Sequence, residues 1–282
     1  MKLIADSGST KTHWVLLKDN QSVAEIRSQG INPFFQNEER IRQVVKMEVA
    51  YPLRSQGVDL EQVNELFFYG AGLREEMKGK VTQILQHVFP ASTIEAQSDL
   101  LGAARALCQH DEGVACILGT GSNSGLYDGS HIVANVPPLG FILGDEGSGA
   151  VLGKLFVGAL LKGLMDNKLK EEYLSDTGEE MADIIDKVYR QPLPNRYLAH
   201  AAKFIHRHID HPQLRQLVVD NFRAFLQRNV KQYQRPDLPV NAVGSIAHFF
   251  ADQWREALAA ENCLPGSILQ APIQGLVAFH AS

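Results

Sequence analysis

The stretch Asp6-Ser7-Gly8-Ser9-Thr10-Lys11-Thr12 lies between two short apolar runs, Leu3-Ile4-Ala5 and Trp14-Val15-Leu16-Leu17. Two apolar runs joined by a polar turn that contains glycine predict a β-hairpin. A turn rich in Gly, Ser and Thr can direct several backbone N–H groups and hydroxyls at one point, and can thereby bind phosphate without a dedicated basic pocket. The same residues also form ordinary turns, so this stretch alone leaves both interpretations open.

A second stretch of this kind, Gly119-Thr120-Gly121-Ser122-Asn123, follows the apolar run from Gly113 to Leu118. Predicted strands at Ser124 to Tyr127 and His131 to Val136 come next, so the order strand, polar turn, strand, strand occurs twice. The first turn is not a Walker A loop, because that motif requires Gly-Lys-Ser/Thr leading into a helix. Two such turns in a repeated architecture are harder to attribute to chance than one.

Between the two turns, helical and strand patterns alternate. Apolar residues recur at helical spacing from Glu38 to Ala50 and from Glu75 to Val88, and short strands are predicted at Leu66 to Tyr69 and Ser92 to Ala96. Beyond a mostly helical region, a strand is predicted at 239–243, a helix at 246–259, a short strand at 266–269 and a terminal helix at 272–280. This order predicts an α/β protein in which helices cover mixed sheets.

Composition narrows the classes of function. The 282 residues are 45% hydrophobic and 21% charged, which is typical of a globular protein large enough for two modest domains. The net charge of -5 gives no reason to expect nucleic acid or a membrane as a partner, and favours a small molecule. No apolar segment is long enough for a signal peptide or a membrane span. Cys108, Cys116 and Cys263 lack C-x-x-C spacing, which argues against a disulfide framework or a thiolate metal site and predicts a reduced, cytoplasmic protein.

Three further stretches carry candidate chemistry. Asp99 opens an apolar helix, where a carboxylate can cap the helix and can also accept a proton from a substrate hydroxyl. Gly144-Asp145-Glu146-Gly147-Ser148-Gly149 places two acids among three glycines, so that carboxylates can approach sugar hydroxyls. Asn241 to Ala247 reads as strand, glycine turn and helix, the usual position of a nucleotide contact. Metal binding is not favoured at the neighbouring histidines, which are His200, His206, His208 and His211.

In this order, the motifs resemble those of the acetate and sugar kinase, Hsp70 and actin superfamily, and most closely its N-acetylglucosamine kinase branch, the BadF/BadG-type ATPases. Asp6 to Thr12 and Gly119 to Asn123 resemble the two phosphate motifs, and Val243-Gly244-Ser245 resembles the adenosine motif. The segment from Gly144 to Ser148 is the most specific of these motifs, because it is typical of N-acetylglucosamine kinases. Gly30-Ile31-Asn32 is similar to the segment that carries a sugar-contacting asparagine.

The resemblance implies two ribonuclease H-like domains, each a mixed sheet flanked by helices, with ATP and sugar in an interdomain cleft. The N-terminal domain is expected at residues 1–105 and is completed by a C-terminal helix at 271–282. The second domain is expected at residues 106–270, with a helical insertion at about 150–230.

For function, the resemblance implies transfer of the γ-phosphoryl group of ATP, with Mg²⁺, to the 6-hydroxyl of an amino sugar, first of all N-acetylglucosamine. Asp99 would be the catalytic base, and Asp6 would hold Mg²⁺ through water. The implied ATP contacts are Gly8, Ser9, Thr10, Lys11, Thr120, Gly121, Gly244 and Ser245. The implied sugar contacts are Asn32, Asp99, Gly121 and Asp145.

Other functions stay open at this point. The same fold could serve as an ATP-binding regulator or sensor that phosphorylates no sugar, or as a kinase for glucosamine or N-acetylmuramic acid. The iron–sulfur activases that share the fold are disfavoured, because the three cysteines fall outside the positions that would hold a cluster. A small-molecule sugar is the expected partner, without nucleic acid or membrane, and a homodimer is left open.

Overall fold

The computed structural model describes residues 1–8 and 10–281. Ten strands lie at Lys2–Ser7, Lys11–Lys18, Gln21–Gln29, Glu65–Gly70, Thr93–Ser98, Glu112–Leu118, Ser122–Asp128, Ile132–Ala134, Pro239–Val243 and Leu264–Leu269, numbered β1 to β10. The α-helices, numbered α1 to α13, lie at Glu38–Val44, Tyr51–Ser55, Glu75–Val88, Asp99–Cys108, Gly140–Leu143, Gly149–Leu161, Asn167–Thr177, Met181–Tyr189, Pro194–Arg207, Pro212–Arg228, Ser245–Phe249, Ala251–Ala260 and Ile273–Ala281. A π-helical turn at Val45–Ala50 joins α1 to α2, and short 3₁₀ turns lie at Leu60–Gln62 and Val230–Tyr233.

The chain divides into two compact units. The first unit comprises Met1–Asp111, Gly129–His131 and Ala271–Ser282, and the second comprises Glu112–Asp128 and Ile132–Gln270. The helix α13 therefore belongs to the first unit, although it follows the second unit in sequence.

The first unit is built on a five-stranded sheet in the order β3-β2-β1-β4-β5. The strand β1 is antiparallel to β2 and parallel to β4. Because successive side chains of a strand point to opposite faces, Leu3 and Ala5 lie on one face with Trp14 of β2 and Phe68 of β4. The helices α1 and α3 and the π-helical turn complete this core, while α4 and α13 contact strands β1 and β4 and pack against each other.

The second unit repeats this sheet, in the order β10-β9-β6-β7-β8. Its central strand β6 is again antiparallel to the next strand, β7, and parallel to β9. The core is formed mainly by the helices inserted between β8 and β9, in which Phe156, Phe204, Phe222 and Phe225 are buried together with Trp254 of α12. The predicted fold class, two mixed sheets flanked by helices, is confirmed, and so is the repetition of its architecture.

Several local predictions differ from the structure. The helix predicted from Glu38 to Ala50 is α-helical only to Val44 and continues as the π-helical turn, and the strand predicted from His131 to Val136 spans only Ile132–Ala134. The helix predicted at 246–259 is divided into α11 and α12 at Phe250, whose φ of -112 and ψ of 36 lie outside the helical region. The strand β7 begins at Ser122 and not at Ser124, so only three residues, Gly119 to Gly121, form the second turn. Among residues 1–8 and 10–281, no helix is both long enough and apolar enough to cross a membrane.

Candidate functional site

The turn between β1 and β2 carries the first group of predicted residues. Asp6 is the last residue but one of β1, and its Cα is paired with His13 of β2 and Tyr69 of β4. The Gly8 N–H donates to the Lys11 carbonyl at 3.0 Å, which closes the turn. Gly8, Thr10 and Lys11 are exposed, whereas the predicted ATP contact Ser9 lies outside the described residues. The side chains of Thr10 and Lys11 are therefore accessible to an anion, whereas the Gly8 N–H is used within the turn.

Buried hydroxyls fasten this turn to the segment that contains Asn32. Ser7 Oγ lies 2.7 Å from Thr12 Oγ1 and accepts a hydrogen bond from the Ile31 N–H at 3.0 Å. Thr12 also donates to the Gln29 carbonyl at 3.1 Å, and both hydroxyl residues are almost fully buried. The predicted phosphate turn and the predicted sugar segment are thus joined by hydrogen bonds.

Asn32 itself is 5% exposed. Its Oδ1 accepts the Phe34 N–H at 3.0 Å, and the Gln36 side chain bridges the segment by accepting from the Asn32 N–H and donating to the Gly30 carbonyl, each at 2.9 Å. A β-carbon at Gly72, where φ is +71, would lie 2.5 Å from Asn32 Oδ1. Gly72 therefore allows the close approach that holds the amide in position.

Asp99 is the first residue of α4 and follows the N-cap residue Ser98, whose Oγ accepts the Leu101 N–H at 3.2 Å. Burial raises the pKa of Asp99 to about 6, although the Leu100 N–H and its own N–H stabilise the ionised form. Burial, and next the charge of Asp99, raise the pKa of Asp6 to about 7, against the opposing effect of Lys11. The first unit thus holds two carboxylates close enough for their ionisation to be coupled.

The position of α4 depends on residues that no local sequence pattern marks. Arg105 Nη1 donates to Tyr69 Oη at 2.7 Å and to Glu95 Oε1 at 2.6 Å. Glu95 lies on β5 and Arg105 lies on α4, which begins at Asp99. This ion pair therefore links the strand before Asp99 to the helix that Asp99 begins. Tyr69 Oη also lies 2.9 Å from Nε2 of His280 on α13, whose pKa is lowered to about 3 by burial and by Arg105 and Lys2.

In the second unit, the turn from Gly119 to Gly121 contacts the glycine-rich loop. The Gly119 N–H donates to the Gly121 carbonyl at 2.9 Å, and the Gly149 N–H donates to the Gly119 carbonyl at 2.8 Å. The Ala150 N–H donates to the Thr120 carbonyl at 3.1 Å. These bonds orient the Gly119 and Thr120 carbonyls toward the start of α6, and Thr120 is exposed.

The side chain of Asp145 links the glycine-rich loop to the start of β7, next to the second turn. Its backbone has a left-handed φ of 55, and its carboxylate accepts hydrogen bonds from the Ser122 and Gly140 N–H groups. Burial nevertheless raises its pKa to about 6. A β-carbon at Gly121 would lie 3.1 Å from Asp145 Oδ2, so glycine is needed there for close contact.

The neighbouring acid, Glu146, has a different environment. It forms an ion pair with Arg228 at 2.7 Å, and the following Gly147 N–H donates to Oδ1 of the buried Asn221 at 3.0 Å. Asn221 Nδ2 in turn donates to the Ser148 carbonyl at 3.3 Å. Asn221 lies on α10, more than seventy residues from the loop in sequence, and sequence patterns therefore did not identify it.

Gly244 ends β9 with a φ of +127, and a β-carbon at this residue would lie 2.3 Å from the Leu118 carbonyl oxygen. Its N–H donates to the Leu269 carbonyl at 3.0 Å. Ser245, the first residue of α11, is exposed. The strand ends of β6 and β9 thus place the second turn and the predicted adenosine turn side by side.

The comparisons with known proteins bear on this arrangement. Residues 5–191 match the model of the BadF/BadG/BcrA/BcrD ATPase family, which covers more than half of the chain. The chain belongs to this family. The matched segment of this ATPase includes Asp6, Asp99, Gly121 and Asp145, whereas Gly244 and Ser245 lie beyond it.

Similar solved structures support the assignment to this family. The chain is 46% identical to a Porphyromonas gingivalis protein provisionally described as an N-acetylglucosamine kinase, over 100% of this chain and 99% of that one, with a TM-score of 0.95. A Chromobacterium violaceum protein with the same provisional description is 17% identical over 99% and 98% of the two chains, with a TM-score of 0.77. A ROK hexokinase from Thermus thermophilus is 14% identical over 98% and 97%, with a TM-score of 0.54. The last two show the fold alone, and no curated protein matches the chain.

For an ATPase of this family, the described residues fit a magnesium ion at Asp6. Among residues 1–8 and 10–281, no three His, Cys, Asp or Glu side chains are grouped so as to hold a metal by themselves. Mg²⁺ commonly binds through one or two carboxylates together with substrate phosphates and water. Asp6 offers such a carboxylate beside the exposed turn, and a cation would offset the repulsion between Asp6 and Asp99.

Proposed function

We propose that the chain is an ATP-dependent sugar kinase that phosphorylates the 6-hydroxyl of an amino sugar, N-acetylglucosamine. The observation that carries the proposal is the presence of Asp99, with its raised pKa, in the same unit as Asp6 and the exposed turn. A carboxylate that can accept a proton near the working pH is the group that deprotonation of an acceptor hydroxyl requires.

The proposed roles in the first unit follow from the environment of each group. Asp99 accepts the proton of the sugar hydroxyl, and Lys11 with the N–H groups of the turn binds the transferred phosphate. Asp6 holds the water shell of Mg²⁺, which neutralises phosphate charge when bound. Asn32 contacts the sugar, and its Oδ1 is oriented by the hydrogen bond that it accepts from the Phe34 N–H.

In the second unit, Thr120 and Gly121 bind phosphate, and Gly244 and Ser245 contact the adenosine. Gly121 and Asp145 contact the sugar. The carboxylate of Asp145 has two oxygens with about four acceptor positions, so the bonds from Ser122 and Gly140 leave capacity for a sugar hydroxyl. The 46% identity to a protein provisionally described as an N-acetylglucosamine kinase supports this choice of substrate.

The test is ADP release with Mg-ATP across N-acetylglucosamine, glucosamine, N-acetylmuramic acid, glucose and 6-deoxy-N-acetylglucosamine. We expect the largest kcat/KM with N-acetylglucosamine and only basal ADP release with the 6-deoxy sugar, which lacks the acceptor. A larger kcat/KM with glucosamine or N-acetylmuramic acid would change the substrate assignment. ATP binding without stimulation by any sugar would contradict the kinase proposal and favour a sensor.

A further inference from the structure

The side chain of Tyr69 lies between strand β4 and helix α4, the helix that begins at Asp99. Tyr69 is almost fully buried. A β-carbon at Gly102, a buried residue of α4, would lie only 2.8 Å from the Cβ, Cγ and Cδ1 atoms of Tyr69. Glycine is unfavourable inside a helix, and here it allows the close approach of the ring. Since Gly102 comes three residues after Asp99, the ring supports α4 about one turn beyond that carboxylate.

The strand that carries Tyr69 is also the parallel neighbour of the strand that carries Asp6. The Cα atoms of Asp6 and Tyr69 are paired between β1 and β4. Paired residues of neighbouring strands point to the same face of a sheet, and strands lie about 4.8 Å apart. The Tyr69 side chain therefore lies beside that of Asp6, on the face opposite to Phe68, which belongs to the core on the other side of the sheet. One ring thus contacts α4 and adjoins Asp6.

The hydroxyl of Tyr69 is held by two helices. Its Oη accepts a hydrogen bond from Arg105 Nη1 of α4 at 2.7 Å and lies 2.9 Å from Nε2 of His280 on α13. Because the pKa of His280 is lowered to about 3, its imidazole is neutral near pH 7 and can accept the hydroxyl proton at Nε2. The His280 ring is itself stacked on Phe67 of β4, with centroids 3.8 Å apart. The ring of Tyr69 is therefore fixed at its hydroxyl end as well as against Gly102.

The helix α13 in turn packs closely against α4. A β-carbon at Gly275 of α13 would lie 2.4 Å from the Ala106 carbonyl oxygen of α4. Gln109 Nε2 donates to the Ala106 and Gly275 carbonyls, each at 3.1 Å, and so joins the two helices. With Tyr69 against one part of its surface and α13 against another, α4 cannot shift without breaking these contacts.

We propose that Tyr69 is a positioning residue that sets the separation between Asp99 and Asp6. Its ring is the spacer beneath α4, and its hydroxyl attaches the spacer to Arg105 and His280. The inference rests on the proposed function, in which Asp99 accepts the proton of the sugar hydroxyl and Asp6 holds the water shell of Mg²⁺. Transfer depends on the placement of these two carboxylates, because a displacement of about 1 Å can lower a rate by about 10²-fold. The end of the chain, through His280, thereby acts on the base.

The first variant narrows the space for the ring from the side of the helix. Gly102→Ala forces α4 or Tyr69 to move, and we expect the kcat of sugar-dependent ADP formation to fall about 10-fold. The KM for the sugar and the affinity for the non-hydrolysable analogue AMP-PNP should stay within a factor of three. The matched control is Gly79→Ala on α3 of the same unit, where no atom lies within 4 Å of the added carbon, and it should have native kinetics. Circular dichroism and urea unfolding verify that both variants fold.

The second variant, Tyr69→Phe, keeps the ring and removes only the hydroxyl. We expect kcat to fall about 3-fold or more with native AMP-PNP affinity, because the ring loses its attachment to Arg105 and His280. Each variant is then combined with Asp99→Asn. A residue that acts through Asp99 has no further effect once the base is removed, so each combined variant should turn over within a factor of two of Asp99→Asn alone. A merely structural role would lower the rate by the same factor with and without Asp99→Asn.

Two outcomes would overturn the positioning role. One is native kcat in both Gly102→Ala and Tyr69→Phe; the other is an equal loss with and without Asp99→Asn. In both cases the native chain still phosphorylates the sugar, so the proposed function is unaffected. A native chain whose ADP release no sugar stimulates would instead contradict the proposed function, and the positioning role together with it.

Discussion

The two polar turns have the same place in two sheets of the same strand order, yet their acids come from different sources. At the first turn, Asp6 belongs to the strand β1 itself and is destabilised in its ionised form by burial and by Asp99. At the second turn, β6 ends in Leu118, and Asp145 is brought by a separate loop and held by two backbone N–H groups. The first unit therefore brings together two carboxylates, Asp6 and Asp99, whose ionised forms are disfavoured and which suit a cation and proton transfer. The second turn has Asp145, whose pKa is also raised but whose position is fixed by two backbone N–H groups, as a binding group requires.

The largest expected effect concerns Asp99, the acid of α4 whose charge raises the pKa of Asp6 at the first turn. Asp99→Asn keeps the shape of the side chain and the helix start but removes the base, and we expect sugar-dependent ADP formation to fall at least ~10²-fold. AMP-PNP affinity should stay within a factor of three. Asp19→Asn, in the turn between β2 and β3 of the same unit, is the matched control and should have native turnover. Near-native turnover of Asp99→Asn would exclude the base role.

A second prediction uses pH. The pKa of Asp99 is raised to about 6, so the ionised base is present above that pH and is lost as the pH falls through it. At saturating Mg²⁺, kcat/KM for the sugar should decrease about 10-fold for each pH unit well below 6, because each unit reduces the ionised fraction tenfold. The measurement is a profile from pH 4.5 to 9. A flat profile down to pH 5 would show that the first turn has no group with a raised pKa in catalysis.

The third prediction disturbs the second turn. Gly121→Ala would place a β-carbon 3.1 Å from Asp145 Oδ2 and displace the carboxylate. We expect KM for the sugar or for ATP to rise about 10-fold while kcat falls less, since the change affects binding more than chemistry. Gly158→Ala on α6, where no atom lies within 4 Å of the added carbon, is the control and should have native kinetics. A fall in kcat with KM unchanged would show that the second turn takes part in the chemical step, which would contradict its assignment to binding alone.

The smallest effect is on stability, and it differs in size between the two turns. The folded-state pKa of Asp6, about 7, is above its ordinary value of 3.8, so the folded state binds the proton more tightly and loses stability as the pH rises between these values. Asp6→Asn should therefore raise the unfolding free energy by about 1–2 kcal/mol at pH 8 while removing activity. The pKa of Asp145 is also raised, to about 6, but Asp145→Asn leaves one backbone N–H without its acceptor, so its gain in unfolding free energy should be smaller than that of Asp6→Asn. Urea unfolding of both variants at pH 8 measures this, and an equal or larger gain in Asp145→Asn would contradict the comparison.

Much of the fold was predictable because its signals are local. The apolar runs beside Asp6 to Thr12 and Gly119 to Asn123 form short strands, as predicted. The family motifs lie at strand ends and helix starts, which the periodicity of the sequence marks. The break between α11 and α12 was not predicted, since Phe250 continues the apolar helical pattern. In the structure Phe250 is buried and packs edge-on against His206, a contact that no local pattern indicates.

The supports of the site were not predictable, because they join residues far apart in sequence. Arg105 has no motif around it, yet its contacts with Glu95 and Tyr69 hold α4. Asn221 is an ordinary polar residue of α10 until its contacts with the Gly147 and Ser148 backbone are seen. The assignment of Asp6, Asp99, Asn32 and Asp145 to metal, base and sugar stays a prediction, to which the structure adds the environment of each group.

We propose that Asp99 and the first turn perform the chemistry of transfer and that the second turn serves binding. A single experiment compares single-turnover phosphoryl transfer and AMP-PNP affinity in Asp99→Asn and Gly121→Ala, each beside its control variant. We expect Asp99→Asn to bind AMP-PNP like the native chain but to transfer at least ~10²-fold more slowly, and Gly121→Ala, once saturated with ligands, to transfer within about 3-fold of the native rate. Loss of binding in Asp99→Asn together with a slow transfer step in saturated Gly121→Ala would contradict it.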